Sequence, residues 1–211
     1  MSYAIDRKPT QQPSLAEMTE TALAALHRYS KSSNKGFFLL IEGSRIDMAS
    51  HSNDPAAHVH DVLAFNDAFH VARKFIEKVG GVIISTSDHE TGGISVGRQI
   101  NSSYPEYVWY PEVLANVTHS TEFLGYQVAS MAADEVDEMR VREYIEETIV
   151  KQGLGIYDAT KAEIEHLIKV RSSALLADFT MADMISRRAQ IGVCPSTFEA
   201  DKVGYPWSFS G

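Results

Sequence analysis

Apolar side chains recur every three or four residues in two stretches of the chain, and this spacing predicts two amphipathic helices. The first begins after Ser14, which opens the sequence Ser-Leu-Ala-Glu, a capping box in which each side chain binds the other residue's free backbone amide. The second begins at Pro55, behind the candidate capping residues Asn53 and Asp54, and is expected to end at Gly80.

Two short apolar runs without alternation flank the second helix, at residues 36–41 and 82–86. Such runs are typical of strands that are buried on both faces of a parallel sheet. Strand, helix and strand in this order predict a βαβ unit with a right-handed crossover. The predicted fold class is therefore α/β, a three-layer αβα sandwich with a mostly parallel central sheet.

The remaining sequence gives weaker structural signals. Residues 98–117 are rich in aromatic side chains and proline, which predicts an extended or irregular stretch. Residues 120–188 combine strong charge with helical spacing and predict a helical segment appended to the sheet. Residues 193–211 have neither helical nor strand periodicity.

Composition excludes several classes of function. The chain has 211 residues, a formal net charge of −9 and one cysteine, Cys194. The negative charge would repel phosphate backbones, so nucleic acid is not an expected partner. One cysteine excludes an intramolecular disulfide and a thiolate zinc cluster. The sequence has neither the pattern of a secretory signal nor the roughly 20 apolar residues of a membrane-spanning helix, so we expect neither.

Candidate chemistry lies at the predicted carboxyl ends of the two strands. Glu42 ends the first strand, and Asp47 and His51 follow at a spacing that places both on one face of a helix. Asp88 and His89 end the second strand. Because ligands of open α/β sheets bind outside these strand ends, the two sets are expected to converge. Carboxylate and imidazole without thiolate favour zinc at the mixed positions and magnesium at Glu42.

Each set alone has a simpler explanation. An Asp-His pair after a strand is more often a helix cap and a surface imidazole than a metal site, and the first set is also weak alone. Both sets together, at the ends of adjacent predicted strands, favour a site for more than one metal ion. Five other histidines are expected to be solvated helix residues or structural residues: His58, His60, His70, His119 and His166.

The segments GFFLLIEGSRIDMASHSNDPAAHVHDVLAF and VIISTSDHETGG resemble the alkaline phosphatases, and YPEYVWYPEVLANVTHS, LGIYD and RAQIG resemble the fungal vacuolar type. The resemblance runs from about residue 3 to residue 192. It implies a metal-dependent phosphomonoesterase in which a serine attacks phosphorus and forms a phosphoserine. It also implies small phosphomonoesters or phosphoproteins as substrates, a homodimer, and a place in the vacuole membrane or lumen.

Position by position, the resemblance implies metal ligands at five residues of this chain. Glu42 matches the magnesium ligand, Asp47 and His51 match two ligands of the first zinc, and Asp88 and His89 match two ligands of the second zinc. A complete site of the family would hold two Zn²⁺ ions and one Mg²⁺ ion.

Several family residues have no counterpart in this chain. The nucleophilic serine, an aspartate shared by two metals and the phosphate-clamping arginine precede the aligned region in the family. The histidine that supplies the third ligand of the first zinc would follow RAQIG, where this chain has Val193, Cys194 and Pro195. We therefore expect an internal fragment without catalytic residues, with a partial phosphatase domain at 1–192 and a non-homologous tail at 193–211.

Two other functions remain open at this point. The chain is alternatively a non-catalytic, truncated product that binds divalent ions weakly or pairs with a full-length subunit. A third possibility is another two-metal branch of the superfamily, such as a mutase or a sulfatase. The YPEYVWYP and RAQIG stretches favour the phosphatase branch over this third possibility.

Overall fold

The computed structural model of the chain describes these residues: 1–33, 35–89, 91, 94–96, 98, 103–104, 107–134 and 137–192. The predicted tail lies outside them, and the predicted aromatic stretch lies only partly within them. Among the described helices, none is long and apolar enough to cross a membrane.

Both amphipathic helices predicted from the periodicity are confirmed. Helix α1 spans Leu15–Ser30 and begins with a complete capping box at Ser14. Helix α3 spans Pro55–Val79, and the side chain of Asp54 caps its first turn. The chain leaves α3 at Gly80, whose φ of +85° suits a residue without a side chain.

Two shorter elements precede α3. A 3₁₀-helix spans Ala4–Asp6, and helix α2 spans Ser44–His51. Helix α2 occupies the segment between the first apolar run and α3, and it supplies the helical turn on which Asp47 and His51 share one face. The turn between α2 and α3 contains Asn53 at a φ of +56°.

The chain beyond residue 110 forms a helical body, which we define as residues 111–192. Its described helices are α4 (Pro111–Ala115), α5 (Thr121–Asp134), α6 (Glu138–Glu143), a π-helix that continues α6 (Tyr144–Gly153), α7 (Lys161–Val170) and α8 (Ala174–Ala189).

The main apolar core lies inside the helical body. Apart from Ala56, all its buried members come from residues 114–191. Several of its large side chains are fully buried: Ile145, Ile149, Leu167, Met181 and Ile185. Helices α5 and α8 approach closely at Gly125, because a Cβ there would lie 2.5 Å from the carbonyl oxygen of Ala174. Burying one such aliphatic side chain stabilises a fold by about 1.5–3 kcal/mol.

A half-buried ion pair joins α7 to α8. Arg188 Nη1 donates to Glu163 Oε1 at 2.9 Å, and Arg188 Nε donates to Asp158 Oδ1 at 2.6 Å. The hydrogen bond from Arg188 is the largest cause that lowers the pKa of Glu163, to about 2. The ionised form of Glu163 therefore stabilises the folded state.

The described residues contain one small sheet. Strands β1 (Ser95–Val96) and β2 (Ile191–Gly192) pair antiparallel, with Ser95 opposite Gly192 and Val96 opposite Ile191. Within the described ranges, neither predicted strand, at 36–41 or 82–86, belongs to a sheet. The predicted parallel pairing is therefore not seen in this part of the chain.

The two apolar runs differ from the sequence prediction in burial as well. We expected both to be buried, yet Phe38, Leu40, Val82 and Ile84 are 87, 80, 82 and 84% exposed. The physical reason is that an isolated strand gains neither ladder hydrogen bonds nor a covered face. Both runs need neighbouring strands and covering helices, and the described residues supply no strand beside them.

Candidate metal centre

Helix α2 places two predicted ligands side by side. Asp47 and His51 are four residues apart in α2, and His51 Nε2 lies 3.4 Å from Asp47 Oδ1. Side chains at this spacing lie one turn apart on the same helix face. Both side chains remain partly open to solvent, 40% for Asp47 and 67% for His51.

The segment after the second apolar run brings two more predicted ligands to α2. His89 Nε2 lies 3.5 Å from Asp47 Oδ1 and 3.6 Å from Asp88 Oδ2. Asp47 therefore stands between the imidazoles of His51 and His89, although 42 positions separate Asp47 from His89 along the chain. The convergence of these four residues on one place was the sequence-based expectation.

One oxygen at this junction lacks a hydrogen bond. Asp47 Oδ1 is buried and has no hydrogen-bond partner among the described residues. Its separations from the two imidazole nitrogens, 3.4 and 3.5 Å, are longer than good hydrogen bonds. The separation of Asp47 from His51 is close to the spacing of roughly 3.3–3.4 Å between two ligands of one tetrahedral zinc with bonds of about 2.0–2.1 Å. The donor set of carboxylate and imidazole fits a divalent transition metal.

The fifth predicted ligand stands apart from this junction. Glu42 is exposed and makes no hydrogen bond or ion pair with another described residue. In the part of the chain that the structure describes, no three His, Cys, Asp or Glu side chains form a group that could hold a metal ion. The described residues thus bring four candidate ligands near one another without completing a site.

His58 differs from its sequence-based interpretation as a solvated residue. Its Nδ1 lies 2.6 Å from the hydroxyl of Ser50, and burial lowers the pKa of its half-buried ring. The Ser50 hydroxyl also lies 2.9 Å from the carbonyl of Ile46, and when it donates there the Nδ1–H of a neutral His58 donates to the hydroxyl oxygen. The hydrogen bond between Ser50 and His58 joins α2 to α3 next to His51. No pattern in the sequence predicted this bond.

Three carboxyl groups outside the set of candidate ligands are buried. Asp54, Asp61 and Asp178 are 2, 7 and 3% exposed. Burial is the main cause that raises the pKa of each, to about 6 for Asp61 and about 7 for Asp178. The sequence identified only the capping role of Asp54, because the partners of these groups come from distant segments.

Comparison with protein families identifies the chain. A model of the family "Alkaline phosphatase" matches residues 1–205. An alkaline phosphatase of Schizosaccharomyces pombe is 46% identical over 193 residues, which cover 91% of this chain and 35% of that protein. The repressible alkaline phosphatase of Saccharomyces cerevisiae is 46% identical over 196 residues, which cover 90% of this chain and 34% of that protein.

The same likeness extends to bacterial proteins and to a solved structure. Alkaline phosphatase 3 of Bacillus subtilis is 31% identical over 183 residues, which cover 85% of this chain and 36% of that protein. The crystal structure of a cold-active alkaline phosphatase from a psychrophilic Shewanella superposes with a TM-score of 0.69 at 24% identity. This match covers 92% of this chain and 43% of the solved chain.

These findings establish an alkaline phosphatase-like fold. The chain belongs to the alkaline phosphatase family, whose members generally use metal ions. It spans about a third of the length of the yeast relatives it matches. The family match reaches residue 205, past the predicted boundary at 192, and that boundary remains a prediction.

Proposed function

We propose that this chain is the metal-ligand portion of a zinc- and magnesium-dependent phosphate monoesterase. One observation carries the proposal: the buried Asp47 Oδ1, which has no hydrogen bond among the described residues, stands between the imidazoles of His51 and His89 in a chain of the alkaline phosphatase family. A buried carboxylate oxygen without a hydrogen bond is costly in a folded protein unless a cation or a proton binds it.

The proposed ligands divide among three ions. Asp47 and His51 would contribute to the first zinc, Asp88 and His89 to the second, and Glu42 to a magnesium ion. When bound, such ions neutralise charge on a transferring phosphoryl group and lower the pKa of water. The carboxylates supply the negative charge that makes the site attractive to cations, and α2 sets the spacing of Asp47 and His51.

The exposed apolar runs support a sheet that is larger than the described one. We infer that residues 36–41 and 82–86 are inner strands of the parallel sheet of a three-layer sandwich. Their exposed side chains and the 43% coverage of the solved phosphatase support this inference. The strands beside them would come from the other parts of a longer protein, which would also supply the nucleophilic serine and the missing metal ligands.

The isolated 211-residue chain is expected to bind metal and to lack phosphatase turnover. Cobalt(II), whose absorption reports its ligand geometry, is the probe for binding, and p-nitrophenyl phosphate is the substrate for turnover. We expect a visible cobalt absorption that is lost in an Asp47→Ala/His51→Ala variant, together with no p-nitrophenol above background. Absence of the cobalt signal in a folded chain contradicts the ligand assignment, and metal-dependent turnover contradicts the inactivity.

One observation favours a second function. Because the described residues contain no group of three metal ligands, the chain alternatively acts as a weak divalent-ion binder or as a partner of a full-length subunit. Size-exclusion chromatography of a mixture with a full-length family member tests the second form of this alternative, because only a partner of a full-length subunit predicts a mixed dimer. Vacuolar location and phosphoprotein substrates remain predictions.

A further inference from the structure

We infer that Asp54 is a positioning residue whose buried carboxylate fastens helix α2, and with it Asp47 and His51, to the helical body. The metal readout of this inference rests on the proposed function. The positional readout, the order of α2 itself, does not depend on that function.

The carboxylate of Asp54 binds the starts of two helices. Its Oδ1 accepts hydrogen bonds from the N–H groups of Ala56 and Ala57 at 3.0 and 2.9 Å, as an N-cap of α3 does. Its Oδ2 accepts a hydrogen bond at 2.7 Å from the N–H of Thr121, the first residue of α5. Capping of α3 accounts for the hydrogen bonds that Oδ1 accepts. It does not account for the hydrogen bond that Oδ2 accepts, because Thr121 lies 67 positions away along the chain.

Electrostatics favours this arrangement. The N-terminal end of a helix carries a partial positive charge, so a carboxylate at two such ends is stabilised twice. Asp54 is only 2% exposed, and burial raises its pKa while the three N–H donors oppose that rise. The hydrogen bonds therefore favour the carboxylate form of a group that would otherwise be costly to bury.

The backbone connects this anchor rigidly to the end of α2. The N–H groups of Ser52, Asn53 and Asp54 donate to the carbonyls of Met48, Ser50 and Ala49 at 3.1, 3.0 and 3.0 Å. Because three consecutive residues form backbone hydrogen bonds with the last turn of α2, His51 has little freedom to move relative to Asp54. Fixing the Asp54 carboxylate therefore fixes the turn that carries His51.

Another contact of this turn reaches a different element. The pair of Ser50 and His58 joins α2 to α3. The bond from Thr121 to Asp54 instead reaches α5, which packs in the main core through Leu124 and Val128. The hydrogen bond between Thr121 and Asp54 therefore holds the turn in a fixed position relative to the main core.

Three variants separate capping from fastening. Asp54→Asn keeps one carbonyl oxygen that can cap α3, but its amide group presents N–H to the N–H of Thr121. Thr121→Pro removes the same N–H donor at the first helical position, where proline is tolerated. Ser173→Ala is the matched control, because it removes the cap of α8, whose side chain accepts from Leu176 N at 3.3 Å, far along the chain from α2.

Amide hydrogen exchange of α2 is measured first, and zinc affinity by calorimetry second. We expect Asp54→Asn and Thr121→Pro each to speed exchange of the α2 amides by about fivefold or more. We expect each of the two variants to bind zinc about 3–10-fold more weakly than the wild type. This loss of affinity is somewhat smaller than the loss typical of residues that hydrogen-bond directly to a metal-ligating side chain. The double variant should be no worse than either single variant, since both remove one bond. Ser173→Ala should leave both readouts of α2 unchanged.

Unchanged α2 exchange in folded Asp54→Asn protein, or a change equal to that in Ser173→Ala, overturns the inference whatever the zinc affinity. If the wild-type chain binds no zinc, the proposed function fails, and α2 exchange alone decides the role of Asp54. The two failures are thus separable within one set of samples.

Discussion

The helical body and the ligand-bearing segments of this chain are built differently. The body buries its large side chains completely, as at Ile149 and Ile185, and joins its helices with the half-buried pair of Arg188 and Glu163. The segments before and after α3 expose their apolar runs at residues 36–41 and 82–86. The candidate metal ligands lie at the ends of those exposed runs.

The helical body therefore supplies most of the stability of the chain, and the ligand-bearing segments supply the residues of the proposed function. The body builds its core from its own residues apart from Ala56, so most of its stability is set locally. The ligand-bearing segments need strands and ligands that the described residues do not contain. Asp54 is one of the described links between the two regions, since its carboxylate binds both α3 and α5.

The largest expected effect comes from removing core volume in the body. Ile185→Ala should lower the free energy of unfolding by about 2–5 kcal/mol, because Ile185 is fully buried and a cavity would remain. Leu175→Ala on the same helix should change it by less than about 0.5 kcal/mol, because Leu175 is 60% exposed. Denaturant unfolding measures both, and equal effects would contradict the assignment of the core.

A somewhat smaller effect is expected from the buried acid of α8. Burial raises the pKa of Asp178 from 3.8 to about 7, so the folded state retains a proton that the unfolded state releases. Stability from this group is therefore full below about pH 4 and is lost as the pH rises through about 7. Asp178→Asn should remove that loss and raise stability at pH 8 by roughly 2–3 kcal/mol.

The check is denaturant unfolding of both proteins between pH 4 and pH 8. Asp67→Asn, a change at an exposed acid on α3, is the control and should leave the pH dependence as it is. Parallel stability curves for wild type and Asp178→Asn would show that this carboxyl does not retain its proton on folding.

The ion pair of the body should have the opposite pH dependence and a smaller effect. The pKa of Glu163 is lowered from 4.5 to about 2 by Arg188, so its stabilisation is present above about pH 4.5 and is lost as the pH falls toward 2. Glu163→Gln should cost about 1–2 kcal/mol at pH 7, after allowance for the solvent exposure of the pair. A variant that is as stable as wild type at pH 7 but less stable at pH 3 would reverse this sign.

The smallest expected effect concerns the exposed run after α3. Ile84→Ala makes the same chemical change as Ile185→Ala at a side chain that is 84% exposed. It should change the free energy of unfolding by less than about 0.5 kcal/mol while reducing self-association, which light scattering measures. A loss as large as that of Ile185→Ala would mean that residue 84 is buried in solution.

Local signals account for what the sequence predicted well. The capping box at Ser14 and the periodicity of α3 are contained within single helices, and both were confirmed. The four-residue spacing of Asp47 and His51 likewise depends on one helix. Asp88 and His89 were expected near them from the rule for strand ends, and they lie there although the strands themselves are not paired.

The failures of prediction come from contacts between distant segments. The runs at 36–41 and 82–86 have the composition of buried strands, but burial depends on neighbours that a local pattern does not contain. The contact of Thr121 with Asp54 joins residues 67 positions apart, and the bond between Ser50 and His58 requires the turn between two helices. None of these contacts has a signature in residue spacing.

Zinc binding tests the central claim most directly. Calorimetric titration of the 211-residue chain, with circular dichroism to verify folding, should be compared with an Asp47→Ala/Asp88→Ala variant. The account predicts that the wild-type chain binds zinc at two half-sites and that the folded double variant loses this binding. A folded wild-type chain that binds no zinc, or a double variant that binds it equally well, would contradict the account.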